Sequence, residues 1–180
     1  MGRDKALLSF RGRTFLETII SNLSAAGADK ITVVLGHHAE TIQRGVNLST
    51  VRVVVNHDYQ RGQTSSLQRG LSAAVVDAPE AVILCLVDHP AVSADVIAKL
   101  IEQFKSTHPM VLIPTHKGER GHPVVISQKL FPELLALLPV EPANSVTRKY
   151  RDVTQFVEVA DRGVLVDVDE PQTYERLEQK

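Results

Sequence analysis

Asp88 closes an apolar run, AVILCLV from Ala81 to Val87, and Pro90 follows it two residues later. Seven apolar residues are too few to cross a membrane, and their β-branched content predicts a strand buried on both faces of a parallel sheet. Ligands of open α/β sheets bind beyond the carboxyl ends of the strands, so a carboxylate in that position is a functional candidate. A lone Asp-x-Pro also reads as the start of a turn. Gly62, Ser65 and Ser66 precede a helical pattern. Its free N–H groups can hold an anion, or Ser65 is simply the N-cap. Lys5 in isolation reads as a solvated side chain. His37, His38 and His57 raise a zinc site, but neither cysteine nor regular ligand spacing supports one. Cys85, inside the apolar run, reads as a small core residue and permits no disulfide.

These groups must be positioned by the surrounding elements, which alternate along the chain. Apolar residues at 15, 16, 19, 20 and 23 predict a helix from Phe15 to Leu23, opened by Thr14 and closed near Gly27. A strand follows at Ile31–Leu35, then a short helix at Ala39–Arg44 and a strand at Val51–Val55. Ser65–Val76 reads as a helix capped by Thr64 or Ser65, and Ser93–Phe104 as a helix with Val96, Leu100, Ile101 and Phe104 on one face. Such alternation predicts an α/β fold with a mostly parallel sheet and helices on both faces.

The last third changes character. The polar turn PTHKGERGHP separates two short apolar runs, Val111–Ile113 and Val124–Ile126, that can pair as a hairpin-like excursion. A helix is expected from Lys129 to Leu138. Val140–Asp152 is expected to be a mobile loop with one short helix after Asn144. Phe156–Val159 and Val164–Val168 read as strands around a turn, and Pro171 suits the first turn of a final helix.

Composition narrows the function classes. The 180 residues are 43% hydrophobic and 23% charged, as expected of one globular domain able to bury its own core. A formal charge of −1, no Trp and eight Phe and Tyr residues give neither a basic field nor a stacking platform, so nucleic acid is an unexpected partner. The first ten residues resemble neither a signal peptide nor a membrane segment, and the expected location is the cytoplasm.

Five motifs occur in a telling order: M-G-x-x-K-x-L-L at Met1–Leu8, N-x-x-Y-x-x-G-Q-x-S-S-L-x-x-G-L at Asn56–Leu71, D-x-P at Asp88–Pro90, G-x-x-G-H-P at Gly118–Pro123, and D-x-D-x-P at Asp167–Pro171. Together they resemble the MobA-like nucleotidyltransferases, and within that group the molybdenum cofactor cytidylyltransferases. The resemblance implies a Rossmann-like three-layer sandwich of the nucleotide-diphospho-sugar transferase type. It also implies a reaction: the phosphate of a molybdopterin acceptor attacks the α-phosphorus of a nucleoside triphosphate, CTP favoured, and pyrophosphate leaves. Because an acceptor phosphate is largely ionised near neutral pH, charge neutralisation matters more than a strong base. Carried over by motif, Asp88 and Asp169 are the ligands of a Mg²⁺ ion, and Lys5 contacts triphosphate oxygens. Asn56 is a candidate for the base; Gly62, Ser65 and Ser66 belong to the acceptor or nucleotide pocket; Gly121, His122 and Pro123 line the acceptor side; Asp167, in the last motif, is a further substrate- or nucleotide-binding candidate. A molybdoenzyme or its chaperone is the expected transient partner. Alternatives are a relative that uses GTP or another phosphorylated acceptor, and a catalytically silent pterin-binding protein.

Two departures stand out. In the family a first strand and a glycine-rich loop precede the lysine motif, whereas this sequence begins at the motif's Met. Either the natural chain starts upstream or this is a shortened relative; either way, a sheet without that strand is expected to expose apolar surface and unpaired edge groups. His89 stands where the family has a glutamine-like residue, and Glu170 where it has threonine.

Overall fold

The computed structural model describes residues 4–138 and 140–178. Met1 and Gly2 of the opening motif, and Pro139, lie outside that range. In chain order the elements are β1 (Ser9–Phe10), β2 (Arg13–Thr14), α1 (Phe15–Ala25), β3 (Thr32–Leu35), α2 (Ala39–Gly45), β4 (Arg52–Val55), α3 (Gln63–Ala74), β5 (Ala81–Leu84), α4 (Ala94–Thr107), β6 (Val111–His116), β7 (Glu119–Arg120), β8 (Val124–Ser127), α5 (Phe131–Ala136), α6 (Asn144–Lys149), β9 (Thr154–Glu158) and α7 (Pro171–Glu178).

Local chemistry explains most boundaries. Thr14 opens α1 with a capping box: its hydroxyl accepts from the Glu17 N–H, and the Glu17 carboxylate accepts from the Thr14 N–H at 3.0 Å. Ser93 caps α4 through the Val96 N–H, and the helix buries Val96, Ile97, Leu100 and Phe104. Lys117 and Gly118, both at positive φ, form the two-residue turn between β6 and β7.

The sheet is mixed. β3 and β4 pair in parallel. β8 lies antiparallel between β5 and β6, and β9 pairs in parallel with the other side of β6. The hairpin-like excursion is therefore present, with Val111 opposite Ile126 and Leu112 opposite Val125. Period-two alternation sends successive side chains to opposite faces. Leu112, Val125 and Val157 join α1 and α4 in one core, while Val111 and Ile126 join α3, α5 and α6 in another. Helices cover both faces, giving three layers.

Among the described residues β3–β4 shares no hydrogen-bonded pair with the larger sheet. Helices join them instead. Leu16 and Ile20 of α1 pack with Val33 and Leu35 of β3, while Leu23 of the same helix packs into the larger core. From the opposite face α3 puts Leu71 against β6 and β8, and its Gly70 lies so close to Val34 that a Cβ there would come within 2.7 Å of Val34 Cγ2.

Three expectations need correction. The run from Ala81 to Val87 is half-buried throughout, not buried on both faces, because β5 pairs with β8 along one edge and with no described strand along the other. Its ladder ends at Leu84, and the pairing is antiparallel. Helix α3 is entered through Gly62 at φ 97, without a side-chain cap; Ser65 instead donates to the carbonyl oxygens of Gly62 at 2.8 Å and Asp58 at 3.2 Å. Val164–Val168 is no strand. The Asp161 side chain accepts from the Gly163 N–H at 2.7 Å and turns the chain into a 3₁₀ helix over Arg162–Leu165.

Candidate functional site

The D-x-P turn is built by close contact. The His89 N–H donates to the Leu86 carbonyl at 3.2 Å, ending the strand direction just beyond Val87. Gly163 backs the turn so closely that a Cβ there would meet the Ala91 carbonyl oxygen at 2.3 Å. Glycine is required at that position by space, not by its dihedral freedom. Asp161 adds a second tie, accepting from the Ser93 N–H at 3.3 Å. The Val168 N–H then donates to the Asp88 carbonyl at 2.9 Å, which docks D-x-D-x-P against D-x-P. Val168 is fully buried between the two aspartates of its motif.

Lys5 arrives from the 3₁₀ turn Lys5–Leu7. Its ammonium donates to Asp169 and lies 3.7 Å from Asp88 Oδ2. Desolvation opposes its charge, but the hydrogen bond to Asp169 and the fields of Asp88, Asp169 and Asp167 outweigh it and raise the pKa above the ordinary lysine value. The same hydrogen bond, with the lysine charge, holds the Asp169 carboxyl below its usual range. Asp167 moves the other way: desolvation, then the charges of Asp88 and Asp169, push its carboxyl up.

Two histidines complete the cluster. His122 follows Gly121, where a Cβ would come within 2.5 Å of the Val164 carbonyl oxygen, and its N–H donates to that carbonyl at 2.9 Å. The rings of His122 and His89 lie 4.5 Å apart between centroids. Burial lowers both imidazole pKa values, so both are neutral near pH 7. With Pro123, Cys85, Val92 and Ile97 they line a small, largely apolar cavity against α1. Apolar surroundings push the Cys85 thiol up to about 12, consistent with a core role.

The metal-ligating possibilities are concrete. Asp88, His89 and Asp167 each place one ligand atom within 4.8 Å of the others. Among the described residues Asp88 Oδ1 and the Nδ1 atoms of both His89 and His122 are buried without a hydrogen-bond partner, which leaves the Asp88 oxygen free to meet a cation. Two carboxylates and an imidazole suit a divalent metal. Asp169, a ligand by motif, is engaged by Lys5 here, and its side chain is 65% exposed. Sequence reasoning did not place His89 in the site. The signal was there, an imidazole between the aspartate and proline of D-x-P.

The remaining candidates form a second group. Asn56, 4% exposed, donates to the hydroxyls of Ser65 at 2.9 Å and Ser66 at 3.0 Å, and its carbonyl accepts from the Asp58 N–H. This network fixes the entry into α3, next to Gly62. No described hydrogen bond or ion pair joins it to the Asp88 cluster. Among the described residues no helix is long and apolar enough to cross a membrane.

Comparison with known proteins agrees with this architecture. The chain is 28% identical over 179 residues to nicotine blue oxidoreductase of Paenarthrobacter nicotinovorans, covering 96% of this chain and 87% of that protein. It is 23% identical over 175 residues to molybdenum cofactor cytidylyltransferase of Escherichia coli (strain K12), covering 97% and 86%. The crystal structure of Rv0371c from Mycobacterium tuberculosis H37Rv superposes with a TM-score of 0.87 at 27% identity, covering 100% of this chain and 91% of that one. A manganese complex of Rv0371c superposes with a TM-score of 0.82 at 25% identity, covering 99% and 94%. The sequence profile of the MobA-like NTP transferase domain matches residues 1–153. With the three-layer fold and the docked aspartate motifs, that match assigns the chain to the MobA-like NTP transferase family, as an enzyme of the nucleotidyltransferase type.

Proposed function

We propose that the protein transfers CMP from CTP to the phosphate of a molybdopterin-type acceptor and releases pyrophosphate. The observation that carries this reading is the convergence of Lys5, Asp88 and Asp169 from three distant parts of the chain on one point. The acceptor phosphate is the nucleophile, and its second pKa of about 6 leaves it mostly ionised at pH 7. Lys5 keeps its charge and neutralises triphosphate oxygens. Asp88 and Asp169 are the carboxylates that would hold Mg²⁺, which supplies charge neutralisation at the attacking and leaving oxygens when bound. Gly62, Ser65 and Ser66 border the nucleotide at the start of α3, held in shape by Asn56. Gly121, His122 and Pro123 border the acceptor, and Asp167 supports the cation site. The cytoplasm is the proposed location, and a molybdoenzyme or its chaperone the proposed recipient of the product.

Pyrophosphate release tests this directly. With Mg²⁺ and molybdopterin, release is expected with CTP above GTP and ATP. Asp88→Asn and Asp169→Asn are each expected to lower it by about 10²-fold or more. Pterin binding without release from any nucleotide would sink the enzymatic reading in favour of a carrier.

The 28% identity to nicotine blue oxidoreductase supports a second reading, in which the same scaffold serves a redox reaction. Oxidation of a reduced nicotinamide in the presence of a dye acceptor, with no pyrophosphate release, is the outcome that would favour it.

A further inference from the structure

The donor atoms around Asp88 are not all oxygen. The His89 side chain is 9% exposed, its Nδ1 has no hydrogen-bond partner, and its Nε2 lies 3.9 Å from Asp88 Oδ1, beyond hydrogen-bond distance. A buried imidazole normally bonds through at least one nitrogen. Among the described residues neither ring nitrogen has a hydrogen-bond partner, and the ring is held by packing against His122 and by the turn that joins its own N–H to the Leu86 carbonyl. Asp88 and Asp167 each bring a carboxylate oxygen within 4.8 Å of one of its ring nitrogens.

We propose that His89 is a nitrogen ligand of the cation site, so that the site takes a first-row transition metal such as Mn²⁺ more tightly than Mg²⁺. This rests on reading the cluster as the cation site of a transferase. Mg²⁺ demands near-octahedral oxygen coordination and gains little from imidazole, whereas N/O sets bind divalent transition metals with affinity rising from Mn²⁺ towards Cu²⁺. Mg²⁺ can still serve the transfer through the carboxylates; His89 adds a preference that two aspartates alone do not provide.

The test is electron spin-echo spectroscopy of Mn²⁺ bound to the full chain without nucleotide. A ligand-nitrogen coupling is expected in the wild type, retained in His122→Asn and absent in His89→Gln. In titrations His89→Gln is expected to weaken Mn²⁺ binding about tenfold while changing Mg²⁺ binding less than about twofold. No nitrogen coupling with Mn²⁺ bound, a coupling that survives His89→Gln, or equal affinities for the two metals would each overturn the proposal. If His89→Gln fails to fold, the other two spectra decide: no coupling in the wild type overturns the proposal, and a coupling kept in His122→Asn supports it. Pyrophosphate release, measured separately, distinguishes the two readings: a nitrogen-coupled metal with no release supports the site and removes the transferase reading.

Discussion

Lys5 is the residue on which opposite charges converge. Its ammonium faces three carboxylates, so the field around it favours the charged state despite partial burial. An activity profile should therefore show no loss from lysine deprotonation below about pH 10, since a raised lysine pKa extends the charged form upward. Lys5→Ala is expected to lower pyrophosphate release by about 10²-fold, read against an unchanged circular dichroism spectrum. Asn56 acts at the same scale but differently. Its amide and carbonyl are both engaged within the loop, so Asn56→Ala is expected to cost about 1–3 kcal/mol of stability in urea unfolding, because the Asp58 N–H loses its acceptor and the two serine hydroxyls lose a donor.

At the scale of elements, caps and close contacts set the geometry. Thr14→Ala is expected to cost about 1 kcal/mol by removing the α1 cap. The Thr14 backbone hydrogen bond, then that of its hydroxyl, hold the Glu17 carboxyl below its ordinary pKa of 4.5. A lowered folded-state pKa contributes stability above the unfolded value, lost as pH falls through the folded one. The stability difference between wild type and Glu17→Ala is thus expected to be present at pH 7 and to shrink below pH 4.5, as chemical denaturation at several pH values would show. These signals were legible in the sequence: Thr14 with Glu17 three residues on, Ser93 before an apolar stripe, Pro171 opening α7. Less legible was anything decided across long chain separations. Nothing local in Val124–Ser127 says that it inserts antiparallel between β5 and β6. The apolar run before Asp88 reads as a fully covered strand, since periodicity reports side-chain faces and is silent about backbone edges. Val164–Val168 has a strand's composition, but Asp161 and the close approach of Gly163 to Ala91 bend it otherwise. At the site the motifs marked both aspartates and the lysine, whereas the place of His89 depended on the turn and its packing on His122.

At the scale of the molecule, the β3–β4 pair and the five-stranded sheet share no ladder among the described residues and are held together by helices on opposite faces. The profile match covers residues 1–153, yet Asp167 and Asp169 lie beyond it. The proposed cation site thus depends on a late segment whose described backbone tie to the D-x-P turn is the Val168 N–H on the Asp88 carbonyl. That single amide can serve as a gauge of occupancy. Any cation that binds only the docked arrangement stabilises it by mass action, about 2.7 kcal/mol at a concentration 100 times the Kd. Where undocking of this segment governs exchange, the Val168 amide proton should be replaced by deuterium about 100-fold more slowly at that Mn²⁺ concentration. Amides in α5, on the far face of the sheet, should keep their rates.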